Sequence, residues 1–261
     1  MIFMKLTKEL YWKILAIDIE NKDSDKDLWV CKGTPPNDLM FLYQIAKMVK
    51  DDGAILEIGT FKGKASAMIA TAISGKNVKF YTIDNFKGLD QMAQPSELVK
   101  CCKRNFQELG LEEKITVYYG DSKKIGPNWA TPLDMIFIDG DHTTLGAGSD
   151  IRNFAKWLKP GGFLILHDYM NPFSGVKQAA TQEISSNEYD SFADAYYIFS
   201  GKKGQSILGR GCILFIKKGD DSYFKEFAKK FQFADKPCGD KCNNCITLDL
   251  SNPFDPNYLE D

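Results

Sequence analysis

The sequence predicts an α/β protein built on a doubly wound, seven-stranded, mostly parallel sheet with an antiparallel last strand. Three observations predict it. From Ala54 onward, short apolar runs alternate with segments of helical periodicity, the pattern of strands joined by crossover helices. The central runs, such as Met135–Ile138 and Phe163–Leu166, are apolar throughout, as strands covered on both faces must be. The last two strand candidates are joined by a segment with Gly201, Gly204 and Gly209, too poor in apolar periodicity for a crossover helix, so they pair antiparallel at one edge.

In chain order, Lys8–Ile17 carries Leu10, Tyr11, Ile14 and Leu15 at helical spacing and reads as an amphipathic helix. Polar Asn21–Asp27 reads as a loop. Thr34-Pro35-Pro36-Asn37-Asp38 is a helix start, with Leu39, Leu42, Ile45, Ala46 and Val49 on one face. The strands expected next are Ala54–Ile58, Lys79–Ile83, Ile115–Tyr119, Leu133–Ile138, Phe163–His167, Ala195–Phe199 and Cys212–Ile216. Helices are expected over Lys64–Ile73, Pro95–Leu109, Leu145–Leu158 and Val176–Ser186. After Lys217 the chain turns charged and then irregular. This divides it into an N-terminal helical cap (1–36), a core (37–218) and a C-terminal helix with a tail (219–261).

Composition narrows the function classes. The 261 residues allow one large α/β domain with small additions. A net charge of −2 gives no basic excess for a nucleic-acid partner. No apolar run is long enough to span a bilayer, and residues 6–19 lack a secretory core and cleavage site, so the expectation is no membrane and a cytoplasmic location. Seven cysteines in a chain of this length do not form the framework of a small secreted fold. Cys31, Cys101, Cys102 and Cys212 are dispersed or sit in helix and strand contexts.

In an open α/β sheet, ligands settle at the carboxyl ends of the strands, beside the first one. That place is held here by Glu57-Ile58-Gly59-Thr60-Phe61-Lys62-Gly63. Gly59 allows a sharp turn and close approach of a ligand, and Gly63 starts a helix without crowding. A dinucleotide loop would carry a third glycine and aim a helix N-terminus at a pyrophosphate. Glu57 repels pyrophosphate and suits the cationic amino group of a methionine moiety. Thr60 lies in the same turn. Asp84, followed by Asn85, ends the second strand, where a carboxylate can accept both ribose hydroxyls. Asp121 and Ser122 follow the third strand, where the polar edge of an adenine would lie. Strand-end capping would explain any one of these acids; together with the glycine turn they describe a site for S-adenosyl-L-methionine.

Three stretches carry a family resemblance: Leu56-Glu57-Ile58-Gly59-Thr60, Phe137-Ile138-Asp139-Gly140-Asp141-His142, and Leu158 through Tyr169 with its Pro160-Gly161-Gly162 and His167-Asp168-Tyr169. Over about residues 37–217 the sequence resembles the class I S-adenosylmethionine-dependent methyltransferases, which have a Rossmann-like fold. It looks most like the subgroup with the macrocin-type sugar O-methyltransferases, and more distantly like the caffeoyl-CoA and catechol O-methyltransferases. The resemblance implies O-methyl transfer to a small hydroxylated acceptor, a sugar or glycosylated metabolite.

Asp139, Asp141 and His142 leave the fourth strand, and His167 and Asp168 leave the fifth. Neighbouring strands stand about 5 Å apart, so these groups converge beside the cofactor turn. The chain's only two histidines, His142 and His167, both lie here as catalytic candidates. Displacement at a sulfonium needs an aligned oxygen nucleophile that loses its proton. Mg²⁺ would lower the pKa of a hydroxyl, and the oxygens of Asp139 and Asp168 suit that hard ion. The resemblance implies the same two ligands, with Asp139 also bordering the cofactor. It departs where a further Asp or Asn usually follows: Tyr169 stands there, with Asn171 two residues on. Asp141 matches the base of the sugar-modifying relatives, and His142 matches the catalytic lysine of the catechol-type enzymes; the choice between them stays open.

Cys238-x3-Cys242-x2-Cys245 could hold Zn²⁺ with a fourth ligand or an iron–sulfur cluster, or be a polar tail of free thiols. Trp157 falls in a predicted helix and reads as core; Trp12, Trp29 and Trp129 could line a pocket. Phe86-Lys87-Gly88-Leu89 would sit at the crevice mouth. The first helix could cover the acceptor pocket, form a homodimer seam, or simply pack. Two readings compete with methyl transfer: a nicotinamide-dependent oxidoreductase, disfavoured by Glu57 and the missing glycine, and a non-catalytic binding protein that kept the fold.

Overall fold

A computed structural model describes residues 4–18, 34–87, 95–169, 174–192 and 211–220. Its elements are α1 (Lys8–Leu15), α2 (Pro36–Met48), β1 (Ala54–Ile58), α3 (Lys64–Ala72), β2 (Lys79–Asp84), α4 (Pro95–Glu108), β3 (Ile115–Tyr119), α5 (Ser122–Ile125), β4 (Leu133–Ile138), α6 (Thr144–Phe154), β5 (Leu158–Leu166), α7 (Val176–Glu183), β6 (Tyr189–Phe192) and β7 (Ile213–Lys217). The sheet order is β3-β2-β1-β4-β5-β7-β6. Strands β1 to β5 run parallel, and β7 enters antiparallel to both β5 and β6. The order reverses between β1 and β4, so the crevice opens at the carboxyl ends of those two strands.

The two faces of the sheet have separate cores. Ile55, Phe80, Met135, Phe137, Phe163 and Ile165 face one way, against α1 to α4. Leu56, Ile58, Ile136, Ile138, Leu164 and Leu166 face the other, against α6 and α7. That alternation within near-continuous apolar strands is what burial on both faces requires. Helix α1 packs through Tyr11, Ile14 and Leu15, and its start is capped by the Thr7 hydroxyl accepting from Leu10 N at 3.1 Å.

Two expectations change. The sixth strand is Tyr189–Phe192, reached by a short turn after α7, whereas residues 195–199 lie outside the described residues. The shorter stretch forms because Tyr189 is buried, donates its hydroxyl to Ala155 O at 3.2 Å and registers opposite Lys217. The fifth strand begins five residues earlier than expected, at Leu158, so Pro160, Gly161 and Gly162 lie inside it and not in a turn before it. Helix α6 accordingly ends at Phe154, and Trp157 follows in a short 3₁₀ turn packed against the second core. Trp129 is buried, with its indole N–H donated to Thr131 O at 2.8 Å, and Trp12 is exposed on α1. Trp29, Cys31, Asn171, Gly88 and Leu89, the connecting glycines and the Cys238/Cys242/Cys245 cluster lie outside the described residues. No helix among the described residues is long and apolar enough to cross a membrane.

Candidate functional site

The turn between β1 and α3 is built for close contact. Gly59 has φ +99° and Gly63 φ +88°, both in the left-handed region. A side chain on Gly59 would overlap the carbonyl of Asp139, and one on Gly63 would overlap the ring of Phe106. Between them Phe61 is also left-handed, at φ 49°, which costs a non-glycine residue free energy. Its N–H donates to Asp84 Oδ2 at 2.7 Å, and Phe86 N, in another left-handed residue at φ 55°, donates to Asp84 Oδ1 at 2.6 Å. Asp84 therefore ties the β1–α3 turn to the loop after β2, with lone pairs remaining on both oxygens.

Glu57 lies deeper than its sequence role requires. It is fully buried, accepting from the Ser66 hydroxyl and from Thr82 Oγ1 at 2.9 Å, while Thr82 also pairs with Thr60. Its second oxygen, Oε1, is buried without a hydrogen-bond partner among the described residues. Burial pushes the carboxyl up to about 8, against which the two hydroxyl bonds act only partly. Because the folded protein holds this proton more tightly than the unfolded chain, the group's contribution is intact below pH 4.5. It is lost as pH rises toward 8, at up to about 1.4 kcal/mol per pH unit. Urea unfolding at pH 5 and pH 8 should therefore show Glu57→Gln gaining stability relative to wild type as pH rises. An unchanged difference would mean Glu57 is ionised when folded.

Along the crevice, Asn85 is exposed and accepts from Lys87 N at 2.9 Å. Asp121 caps α5 by accepting from Lys123 N at 3.0 Å. Ser122 donates to Asp150 Oδ1 at 2.6 Å. Asp150, on α6, is buried, and burial pushes its carboxyl up to about 6.

The carboxyl ends of β4 and β5 bring four groups together. Asp139 Oδ1 stands 3.4 Å from His142 Nε2 and 3.0 Å from His167 Nδ1. Asp168 Oδ2 stands 3.2 Å from His142 Nδ1 and 3.5 Å from His167 Nδ1. Asp168 holds a left-handed backbone at φ 54° to do so. Burial opposes ionisation of Asp139 but is outweighed by the charge of His167 and bonds from both imidazoles, which hold it far below the usual carboxylate range. Asp168 is lowered in the same way. The bond to Asp139 raises His142, and the surrounding carboxylates raise His167 despite its burial. Asp139, His142 and Asp168 each offer one ligand atom, all within 4.8 Å of one another, so the set fits a single cation.

Of the three catalytic candidates, His142 is partly open at 24% side-chain exposure, whereas His167 is 3% exposed behind the carboxylates and supports them without reaching the crevice. Asp141 points elsewhere. It accepts from Thr143 N at 2.9 Å and faces Lys123 Nζ at 3.4 Å; against modest burial these contacts lower its carboxyl, making it a weak base.

Two acids that pattern reading passed over also belong here. Asp38, in the first turn of α2, is 1% exposed and lies 3.0 Å from His167 Nε2. Asp150 is described above. Each occupies a position in an apolar helical stripe, Asp38 with Leu42, Ile45 and Val49, and Asp150 with Ala147 and Phe154. A charge in such a stripe is the signal that would have found them.

Residues 56–169 match the family model described as a methyltransferase domain. An uncharacterized protein of Acanthamoeba polyphaga mimivirus is 28% identical over 127 residues, 47% of this chain and 54% of that protein, so the match spans about half the length of the relative. Among solved structures, an O-methyltransferase of Streptomyces achromogenes involved in tomaymycin synthesis, in complex with S-adenosylmethionine, is 19% identical with TM-score 0.56, over 82% of this chain and 92% of that one. An O-methyltransferase of Bacillus cereus, in complex with S-adenosylhomocysteine, is 18% identical with TM-score 0.56, over 81% and 92%. The fold is thus the Rossmann-like fold of the methyltransferases, and residues 56–169 carry the match to their domain family.

Proposed function

We propose that this protein transfers a methyl group from S-adenosyl-L-methionine to a hydroxyl of a small acceptor, a sugar or glycosylated metabolite by the resemblance of its motifs. The observation that carries the reading is the contact between the two half-sites: the left-handed turn at Gly59 is packed on the backbone of Asp139, so a donor in the turn lies against the acid–imidazole cluster. In this reading Asp84 takes the ribose hydroxyls and the Asp121–Ser122 turn takes the adenine. Glu57 Oε1, buried and without a hydrogen-bond partner among the described residues, can take the cationic amine or brace the turn beneath it.

The cluster's work is alignment and proton removal. An acceptor hydroxyl held against Asp139 and Asp168 gains several kcal/mol from orientation. His142, the partly open group beside both acids, takes its proton when the imidazole is neutral, a step worth about two to four powers of ten in rate. Asp139 and Asp168 would hold Mg²⁺, which would lower the pKa of the hydroxyl.

The test is methyl transfer from labelled S-adenosylmethionine to a panel of glycosides and phenols, with and without excess EDTA. Transfer to a hydroxyl that stops in EDTA and returns with Mg²⁺ supports the reading. Full turnover in EDTA, with no metal in the purified protein, rejects the metal-assisted version, and transfer to nitrogen or carbon alone rejects the acceptor class.

A further inference from the structure

The acid–imidazole cluster continues inward past the groups that face the crevice. Asp38 comes from α2, before the segment that matches the methyltransferase family, and its carboxylate meets a residue 129 positions away. An acid in a helix's first turn is stabilised by the helix dipole while fully exposed, so capping alone gives no reason to bury it. Burying a carboxylate is costly unless it is bonded. Asp38 Oδ2 has that bond, 3.0 Å from His167 Nε2, at 1% exposure for Asp38 and 3% for His167. Cys212 closes the same pocket, its sulfur within 4.8 Å of the ligand atoms of both.

A carboxylate only accepts, so the hydrogen in this bond sits on Nε2. The opposite nitrogen, Nδ1, then faces Asp139 Oδ1 at 3.0 Å and Asp168 Oδ2 at 3.5 Å. Thr34, four residues before Asp38, reaches the other oxygen of Asp139 at 3.5 Å, so the start of α2 meets the cluster at two points. We propose that Asp38 is a positioning residue for the reacting centre: by holding Nε2–H of His167 it fixes the ring with Nδ1 against Asp139 and Asp168, and so fixes those two carboxylates. Its consequence for turnover rests on the methyl-transfer reading; the state of the ring does not.

Because the chain has two histidines, ring nitrogens labelled with ¹⁵N can be assigned by comparing wild type with His142→Gln. In wild type, long-range ¹H–¹⁵N correlation should show His167 Nε2 protonated. Asp38→Ala should lose that pattern and reduce kcat about tenfold to a hundredfold, the usual range for removing an outer-shell partner. S-adenosylhomocysteine affinity should stay within about threefold, as expected for a group outside the donor crevice. Asp38→Asn keeps an acceptor oxygen and should restore much of both the pattern and kcat. A bare Nε2 on His167 in wild type overturns the proposal, and this reading needs no variant to fold. So does an unchanged nitrogen pattern in Asp38→Ala, or one equivalent of zinc lost in Cys212→Ser, which would make Asp38 a ligand. The expected pattern in a wild type without methyl transfer would uphold Asp38's role and sink only the activity.

Discussion

Asp139→Ala and Asp168→Ala should each abolish measurable methyl transfer, a loss of about three powers of ten or more, while S-adenosylhomocysteine still binds within about tenfold of wild type. Among the described residues each of the two acids stands against both imidazoles of the cluster, so in the proposed function either loss would remove the acceptor's anchor and leave His142 misdirected. Position 168 needs a further control. Its backbone is left-handed at φ 54°, a conformation that costs Ala more than Asp or Asn. Asp168→Asn keeps the backbone and shape and should be as inactive as the alanine variant, with a melting temperature nearer wild type. An active Asp168→Asn would show that the position matters for its turn and not for its charge.

The second large effect falls on Gly59. A methyl group there would overlap the carbonyl of Asp139, and φ +99° is a region that alanine avoids. Backbone carbonyls at the end of a central strand cannot move aside cheaply. Gly59→Ala should therefore lose about 2–4 kcal/mol of folding stability in urea unfolding, combining left-handed strain with overpacking. Donor affinity should fall with it, since β1 and β4 can separate only by opening the crevice. Wild-type stability and unchanged binding in this variant would mean that the turn and Asp139 are not packed together.

The sheet was legible because its signals are local and repeated. Ile55-Leu56, Met135–Ile138 and Phe163–Leu166 are buried on both faces and announce themselves as apolar runs, and Gly59 and Gly63 mark the turn between strand and helix. The edge was less legible. Tyr189–Phe192 is a four-residue edge strand with polar positions, whereas the more apolar stretch 195–199 looked the better candidate. The same distinction holds in the site. Asp139, His142 and Asp168 stand at strand ends, where position alone implies convergence. Asp38 meets His167 only through tertiary packing, and its place in a helix's first turn offered an ordinary explanation. Glu57 was legible as an acid beside the turn, but its hold on Ser66 and Thr82 was not, because neither hydroxyl belongs to a motif.

The central claim is that the crevice beside Gly59 takes the methyl donor. Equilibrium titration of the full-length protein with S-adenosylhomocysteine and, separately, with NADH tests it most directly. The expected result is one S-adenosylhomocysteine bound per chain in the micromolar range or tighter, about −8 kcal/mol, weakened in Gly59→Ala, with no saturable binding of NADH. Saturable NADH binding with none of S-adenosylhomocysteine would contradict the account and return the crevice to a nicotinamide cofactor.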